Sequence, residues 1–356
     1  MIFLCGCTPK DNRTVVQFAS WGSKSEIDIL KPILSDFEKE NPDIKIDFMH
    51  IPQNYFQKIH LLFASNTAPD VIFINNLYLP LYADLLEELE KPESFYSQAL
   101  DALSWDGKLH AIPRDISNLV IYYNKDLFDK KGIKYPISDW TFETFLMTAK
   151  KLTDKNTFGI NFEEEPLYYI PYLFSNGGGI LPDEINKPES QEAINFYADL
   201  RKKYHVAPFK SEIASATSAQ LFLQGKLGMY ISGRWMVPKF REECQFDWDV
   251  TRFPKGKKGS IVQTDSSGWA VTKASKHKEE SLRLVKYLSS KDSITKFTQS
   301  GLIVPARIDV SIVDDKKPHN GKIFTDIIAT SRPTPVTKNY KEITDKLKKD
   351  MESKFN

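Results

Sequence analysis

Few residues in this chain have the types and spacing that covalent chemistry needs. His50, His60, His110, His205, His277 and His319 are scattered, with no short spacing that would set two imidazoles on one helix face as metal ligands. The three cysteines, Cys5, Cys7 and Cys244, are odd in number and lack a C-x-x-C pair, which argues against a disulfide framework or a structural zinc site. No G-x-S-x-G, H-E-x-x-H, Walker A or G-x-G-x-x-G sequence occurs, and Gly177-Gly178-Gly179 reads as a flexible turn because no clear strand delivers it to a helix start. Carboxylates are plentiful, so choosing two as acid and nucleophile would be arbitrary. Noncovalent recognition is what remains. Lys24, Arg114 and Arg234 could neutralise a phosphate if the fold made them converge. Trp21, Asn75, Asn76 and Tyr78 offer a flat apolar ring and amides that both donate to and accept from hydroxyls, with turn formation a rival role for the asparagines.

Something must position these groups, and 356 residues suggest two domains. Lys plus Arg is 48 and Asp plus Glu is 47, so a net charge of +1 gives no field to gather nucleic acid or an anionic membrane. The clusters Lys255-Gly256-Lys257-Lys258 and Lys346 to Lys349 are short and read as solvated faces. With 41% hydrophobic and 27% charged residues the composition is that of a globular protein, and no apolar run approaches the ~20 residues needed to cross a bilayer.

The first hundred residues show a strand and helix rhythm. Thr14 to Ala19 is a β-rich run, and Ile27, Leu30, Ile33, Leu34 and Phe37 recur at helical spacing before the breaker Asn41-Pro42. Ile44, Ile46 and Phe48 alternate as a strand, Tyr55, Ile59, Leu62 and Phe63 form a second helical stripe, and Val71 to Ile74 is a continuous apolar run. This β-α-β-α-β unit predicts parallel pairing with right-handed crossovers, and ligands of such sheets sit beyond the carboxyl ends of the strands. Trp21 to Lys24, Ile51 to Asn54 and Asn75 to Tyr78 fall there. Later stripes predict a strand at 119–123, a strand at 228–232, and helices around 142–152, 193–200, 282–288 and 340–351.

Several ordered stretches carry a resemblance. Phe37-Glu38-Lys39-Glu40-Asn41-Pro42-Asp43-Ile44, Ala68-Pro69-Asp70-Val71, Trp105 to Asp115, Tyr122 to Phe128, Gly225 to Tyr230 with Gly233-Arg234-Trp235, Ser267 to Val271, and Gly301 through Arg307 together resemble the extracellular solute-binding proteins of bacterial ABC importers, the maltose-binding-protein-like sugar group. The resemblance covers the chain from about residue 14 onward. Separately, Leu4-Cys5-Gly6-Cys7 resembles the end of a bacterial lipoprotein signal, with Cys7 lipidated and the protein held outside the cytoplasmic membrane by that anchor alone.

The resemblance implies an α/β, two-lobed periplasmic-binding-protein-like fold, each lobe a mostly parallel sheet flanked by helices, with the ligand cleft between them. Residues 1–12 would be a signal remnant and tether, 13–117 plus 268–315 one lobe, and 118–267 plus 316–356 the other. It implies no catalysis and no cofactor or metal, a carbohydrate ligand, a transmembrane permease as partner, no nucleic acid, and a monomer. Its expected ligand residues are Trp21, Ser23, Lys24, Asn75, Asn76, Tyr78, Asp115, Ser117, Asn118, Glu165, Tyr168, Trp235, Trp269 and Arg307. Among them, Asp115 would accept hydroxyl protons and Trp235 would stack on a ring; at Leu167, where the maltose protein has tyrosine, the role would pass to Tyr168. For Trp269, hinge packing is an equal alternative, and Tyr340 is a weaker candidate. The alternative ligand is glycerol 3-phosphate or a related phosphodiester, and the alternative class is a secreted carbohydrate-active hydrolase with two facing carboxylates.

Overall fold

A computed structural model describes residues 11–313 and 316–356. Cys7, the expected site of lipidation, lies outside them. Strand β1 (Thr14–Ser20) is followed by α1 (Lys24–Glu40), whose Ser23 cap accepts a hydrogen bond from the Glu26 N–H at 3.3 Å and whose Ile27, Leu30, Ile33, Leu34 and Phe37 face the core. Capping and a buried apolar stripe both favour the helix. Strand β2 (Ile44–His50), α2 (Tyr55–Ala64) and β3 (Val71–Asn75) complete the expected unit, with β1 parallel to both β2 and β3.

Strand β4 (Ile112–Ser117) still belongs to this sheet, whereas β5 (Val120–Asn124), two residues on, belongs to another. Helices α3 (Phe142–Leu152), α4 (Pro166–Asn176) and α5 (Pro188–Lys202) follow, then β6 (Met229–Ser232) and β7 (Trp248–Thr251), which flank β5 antiparallel. The chain returns in β8 (Gln263–Val271), continues through α6 (Lys278–Leu288), α7 (Lys291–Gln299) and β9 (Val304–Pro305), and closes with β10 (Arg332–Pro333) and α8 (Tyr340–Phe355).

The larger sheet has the order β9-β4-β8-β3-β1-β2, with β10 beside β8, and the smaller has the order β6-β5-β7. The chain thus passes from one sheet to the other at 117–120 and back before 263. After β9 it packs on the second lobe again, where Phe324 lies 6.5 Å from Tyr122 and Phe355 lies 5.5 Å from Tyr197. The smaller sheet is antiparallel; in the larger one β8 runs antiparallel to β3 and β4, and parallel to β10. This mixed pairing places the carboxyl end of β3 beside the first half of β8, with Asn75 opposite Ser267. No helix among the described residues is long and apolar enough to cross a membrane.

Candidate functional site

The floor of the first lobe is built on a β-bulge. Ser267 of β8 pairs with Asp115 and Gly268 pairs with Pro113, so Arg114 is the extra residue on β4. A bulge breaks the alternation that would send neighbouring side chains to opposite faces. Arg114 Nε can therefore donate to Oδ2 of the adjacent Asp115 at 2.6 Å, while its Nη1 meets Glu26 from the first turn of α1. All three groups are buried, Ser267 donates to Asp115 Oδ1 at 2.7 Å, and the guanidinium lies 5.0 Å from the Phe73 ring and 5.4 Å from Trp269. Gly268 permits the strands to approach: a Cβ there would stand 2.1 Å from the Ile112 carbonyl oxygen.

Above this floor the strand ends present aromatic rings. Trp21, 42% exposed, stacks on Phe73 at 5.7 Å, and Tyr78 stacks on Phe56 at 3.7 Å. Asn75 Oδ1 accepts the Tyr78 N–H at 3.2 Å and shapes the turn. Asn76 is buried; its Nδ2 donates to Asp265 at 2.9 Å and its Oδ1 accepts the Ser266 N–H at 3.1 Å. That joins β3 to the start of β8.

The second lobe supplies the facing wall. Tyr197 fixes Glu163 by accepting its N–H at 3.0 Å and donating to its carbonyl at 2.8 Å, and burial raises the Glu163 carboxyl above the ordinary range. Glu165 stands just before α4 with its side chain turned to Lys348 rather than to the helix N–H groups. Burial pushes the Tyr168 hydroxyl far up, so it remains a neutral donor and acceptor. Trp235, half-buried, lies over Gly233, where a Cβ would come within 1.9 Å of the indole.

A cavity of about 170 Å³ opens between Leu77 and Tyr78 of the first lobe, Glu165 and Leu167 of the second, and Gln263, Asp265 and Tyr340 of the returning segments. Typical ligand pockets hold ~300–1,000 Å³. A ligand larger than this volume must extend along the cleft or part the lobes. Gln263 Nε2 donates to the Leu167 carbonyl at 2.7 Å, which leaves Oε1 buried without a partner among the described residues. Burial raises the Asp265 carboxyl, which accepts from Asn76 and pairs with no cation among the described residues. Gln263, Asp265 and Glu163 were not anticipated. The i, i+2 alternation of Gln263 and Asp265 just before Ser267 was the available signal.

Of the anticipated residues, Tyr78 and Glu165 line the cavity. Others need correction. Trp269 is 0% exposed and packs edge-on against Phe18 and Phe73, a core residue of the first lobe. Arg307 pairs with Asp309 at 2.8 Å, donates to the Ser289 carbonyl and covers Phe95, so it ties loops together. Ser23 is a helix cap, and the Lys24 ammonium, 89% exposed, pairs with Asp28 on the surface. Asp115 is neutralised by Arg114 and so is a support for the site rather than a free acceptor. Asn118 is buried at the first crossing, donating to the Phe324 carbonyl at 2.8 Å, with Oδ1 unpartnered among the described residues; Ser117 beside it is half-buried. The cations do not converge, because Arg114 is held by Glu26 and Asp115, and Arg234 donates to the carbonyls of Ile303 at 2.8 Å and Thr298 at 3.0 Å. That removes the structural basis for a phosphate in the cleft.

No cluster of three or more His, Cys, Asp or Glu that could hold a metal occurs among the described residues. Cys244 is free, and burial pushes its thiol up to about 12.

The sequence profile of bacterial extracellular solute-binding proteins matches residues 33–325. A putative binding protein of Brucella abortus is 28% identical over 342 residues, spanning 89% of this chain and 82% of that protein. A galactooligosaccharide-binding protein of Bacillus subtilis is 24% identical over 373 residues, spanning 96% and 86%. Among solved structures, an ABC substrate-binding protein of Listeria monocytogenes in complex with cycloalternan superposes with a TM-score of 0.89 at 27% identity, covering 97% of this chain and 94% of that one. The GacH receptor of Streptomyces glaucescens shares the fold, with a TM-score of 0.86 at 20% identity over 96% of this chain and 93% of that one.

Proposed function

Because the chain belongs to the bacterial extracellular solute-binding proteins, we propose that it is the carbohydrate receptor of an ABC importer, working outside the cytoplasmic membrane and delivering its ligand to a transmembrane permease. The lobes are taken as 13–117 plus 268–315 and 118–267 plus 316–356, with the return to the first lobe moved up to 263 because β8 lies whole in the larger sheet. Residues 1–12 are a lipoprotein signal remnant and tether, the lipid on Cys7 holds the protein to the membrane, and the protein acts as a monomer.

One observation carries the reading: Asp265 and the Gln263 amide oxygen line a small interlobe cavity as acceptors paired with no cation among the described residues, beside the Tyr78 ring, while Lys341 on the same lining is occupied by Asp345. Such a surface suits a ligand that brings hydroxyl donors and apolar C–H faces, and does not suit an anion. The names of relatives that bind galactooligosaccharide and cycloalternan support the same class. Asp265 and Asn76 take and give hydroxyl hydrogens on the floor, Tyr168 and Glu163 do so from the wall, and Trp21 and Trp235 supply stacking faces at the rim. A ligand touching both lobes binds the closed form more tightly than the open one, so it shifts the population toward closure.

Calorimetry with neutral mono- and oligosaccharides and with glycerol 3-phosphate tests this. Saturable binding of a neutral sugar, recovered intact after prolonged incubation, is the expected result. Binding of glycerol 3-phosphate alone contradicts the ligand class, and hydrolysis of the sugar contradicts the receptor role.

A further inference from the structure

Cations without an acidic partner among the described residues occur away from the interlobe cavity, whose Lys341 pairs with Asp345. A second cavity, about 590 Å³, lies among Ser138, Arg252, Lys255, Lys258, Ser260 and Thr330, and it shares no lining residue with the interlobe cavity. Its basic wall is the connector between β7 and β8, and Thr330 comes from the segment just before β10. The wall is fixed through its backbone: the Trp140 indole donates to the Arg252 carbonyl at 2.9 Å, Lys255 N–H donates to the Trp140 carbonyl at 2.9 Å, and Lys258 N–H donates to the Ser175 carbonyl at 2.8 Å. Gly256 makes the last contact possible, since a Cβ there would stand 2.5 Å from the Ser175 oxygen.

Three cations thus share one concave surface with a single carboxylate, Asp139, which pairs with Lys255. Arg252 and Lys258 have no acidic partner among the described residues. Like charges held together by a rigid backbone repel one another, and an anion relieves that repulsion while accepting charge-assisted hydrogen bonds. The volume falls within the ~300–1,000 Å³ of small-molecule sites and exceeds what one inorganic phosphate fills. We propose that this pocket is a second binding site, independent of the cleft, for a small organic anion carrying two or more phosphate groups, gripped by Arg252, Lys255 and Lys258.

Calorimetric titration of the whole protein with inorganic pyrophosphate at low salt tests the proposal. Saturable binding is expected, weakened at least about tenfold in the Arg252→Gln/Lys258→Gln double variant and unchanged in Lys239→Gln, whose ammonium pairs with Glu243 on another helix. Asp139→Asn frees Lys255 and is expected to tighten binding several-fold. A saturating neutral sugar leaves the pyrophosphate affinity in place. The absence of saturable heat, equal binding by the double variant, weaker binding by Asp139→Asn, or displacement by the sugar would each overturn it.

Discussion

Two sets of acidic side chains live under opposite electrostatic conditions, and one of them includes the cavity-lining Asp265. Glu26 and Asp115 are buried against Arg114, each touching its guanidinium. Asp265 and Glu163 are pushed up by burial, and Asp265 is met by neutral donors, the Asn76 amide and the Thr334 hydroxyl, and by no cation among the described residues. The difference separates support from recognition. A buried carboxylate held by an arginine has its acceptor capacity spent, whereas one facing a cavity gains most from hydroxyl donors that a ligand brings.

The largest effect is expected from breaking the paired set. Arg114→Met leaves two buried carboxylates without their cation and should lower unfolding stability by about 3–5 kcal/mol, read from denaturant titration. A small loss would mean that the cluster is wetter than its burial implies.

Asp265→Asn should act in the opposite sense on stability while weakening sugar binding. Its folded carboxyl lies above the ordinary 3.8, so the folded state holds the proton more tightly than the unfolded one. Its stabilising contribution is complete below that value and is lost as pH rises through the folded pKa. The amide removes that loss, so thermal stability at neutral pH should rise. Loss of a charged acceptor should weaken the sugar roughly tenfold or more. For the unaltered protein, hydroxyls that donate to the carboxylate favour its ionised form. Affinity should therefore fall with acidification at a pH above 3.8, and Asp265→Asn should flatten that fall in calorimetry run across pH.

Smaller effects sharpen the same contrast. Trp235→Leu should cost the sugar about 0.5–1.5 kcal/mol of affinity, the worth of a stacking face beyond its area. Lys24→Gln should leave both affinity and stability as they are, since its pair with Asp28 is exposed.

The repeating architecture was legible in the sequence because period decides it. The stripes in α1 and α2, the apolar run of β3 and the later helices each lie where their periodicity puts them. The site was legible only in part. Tyr78 and Glu165 reach the cavity, but the bulge at Arg114 and Asp115 breaks alternation through a long-range pairing that no local pattern announces. Trp269 reads from its neighbours equally as a ligand contact and as hinge packing, and it sits on a central strand, where Phe18 and Phe73 enclose it. Asp265 and Gln263 escaped because their role depends on β8 arriving antiparallel beside β3, which places them at the carboxyl end of a strand nearly two hundred residues away.

Small-angle scattering of the protein with and without a saturating neutral oligosaccharide tests the central claim most directly. The account predicts a smaller radius of gyration with sugar bound and the sugar recovered unchanged. A tightly bound sugar that leaves the scattering profile as it was would contradict it.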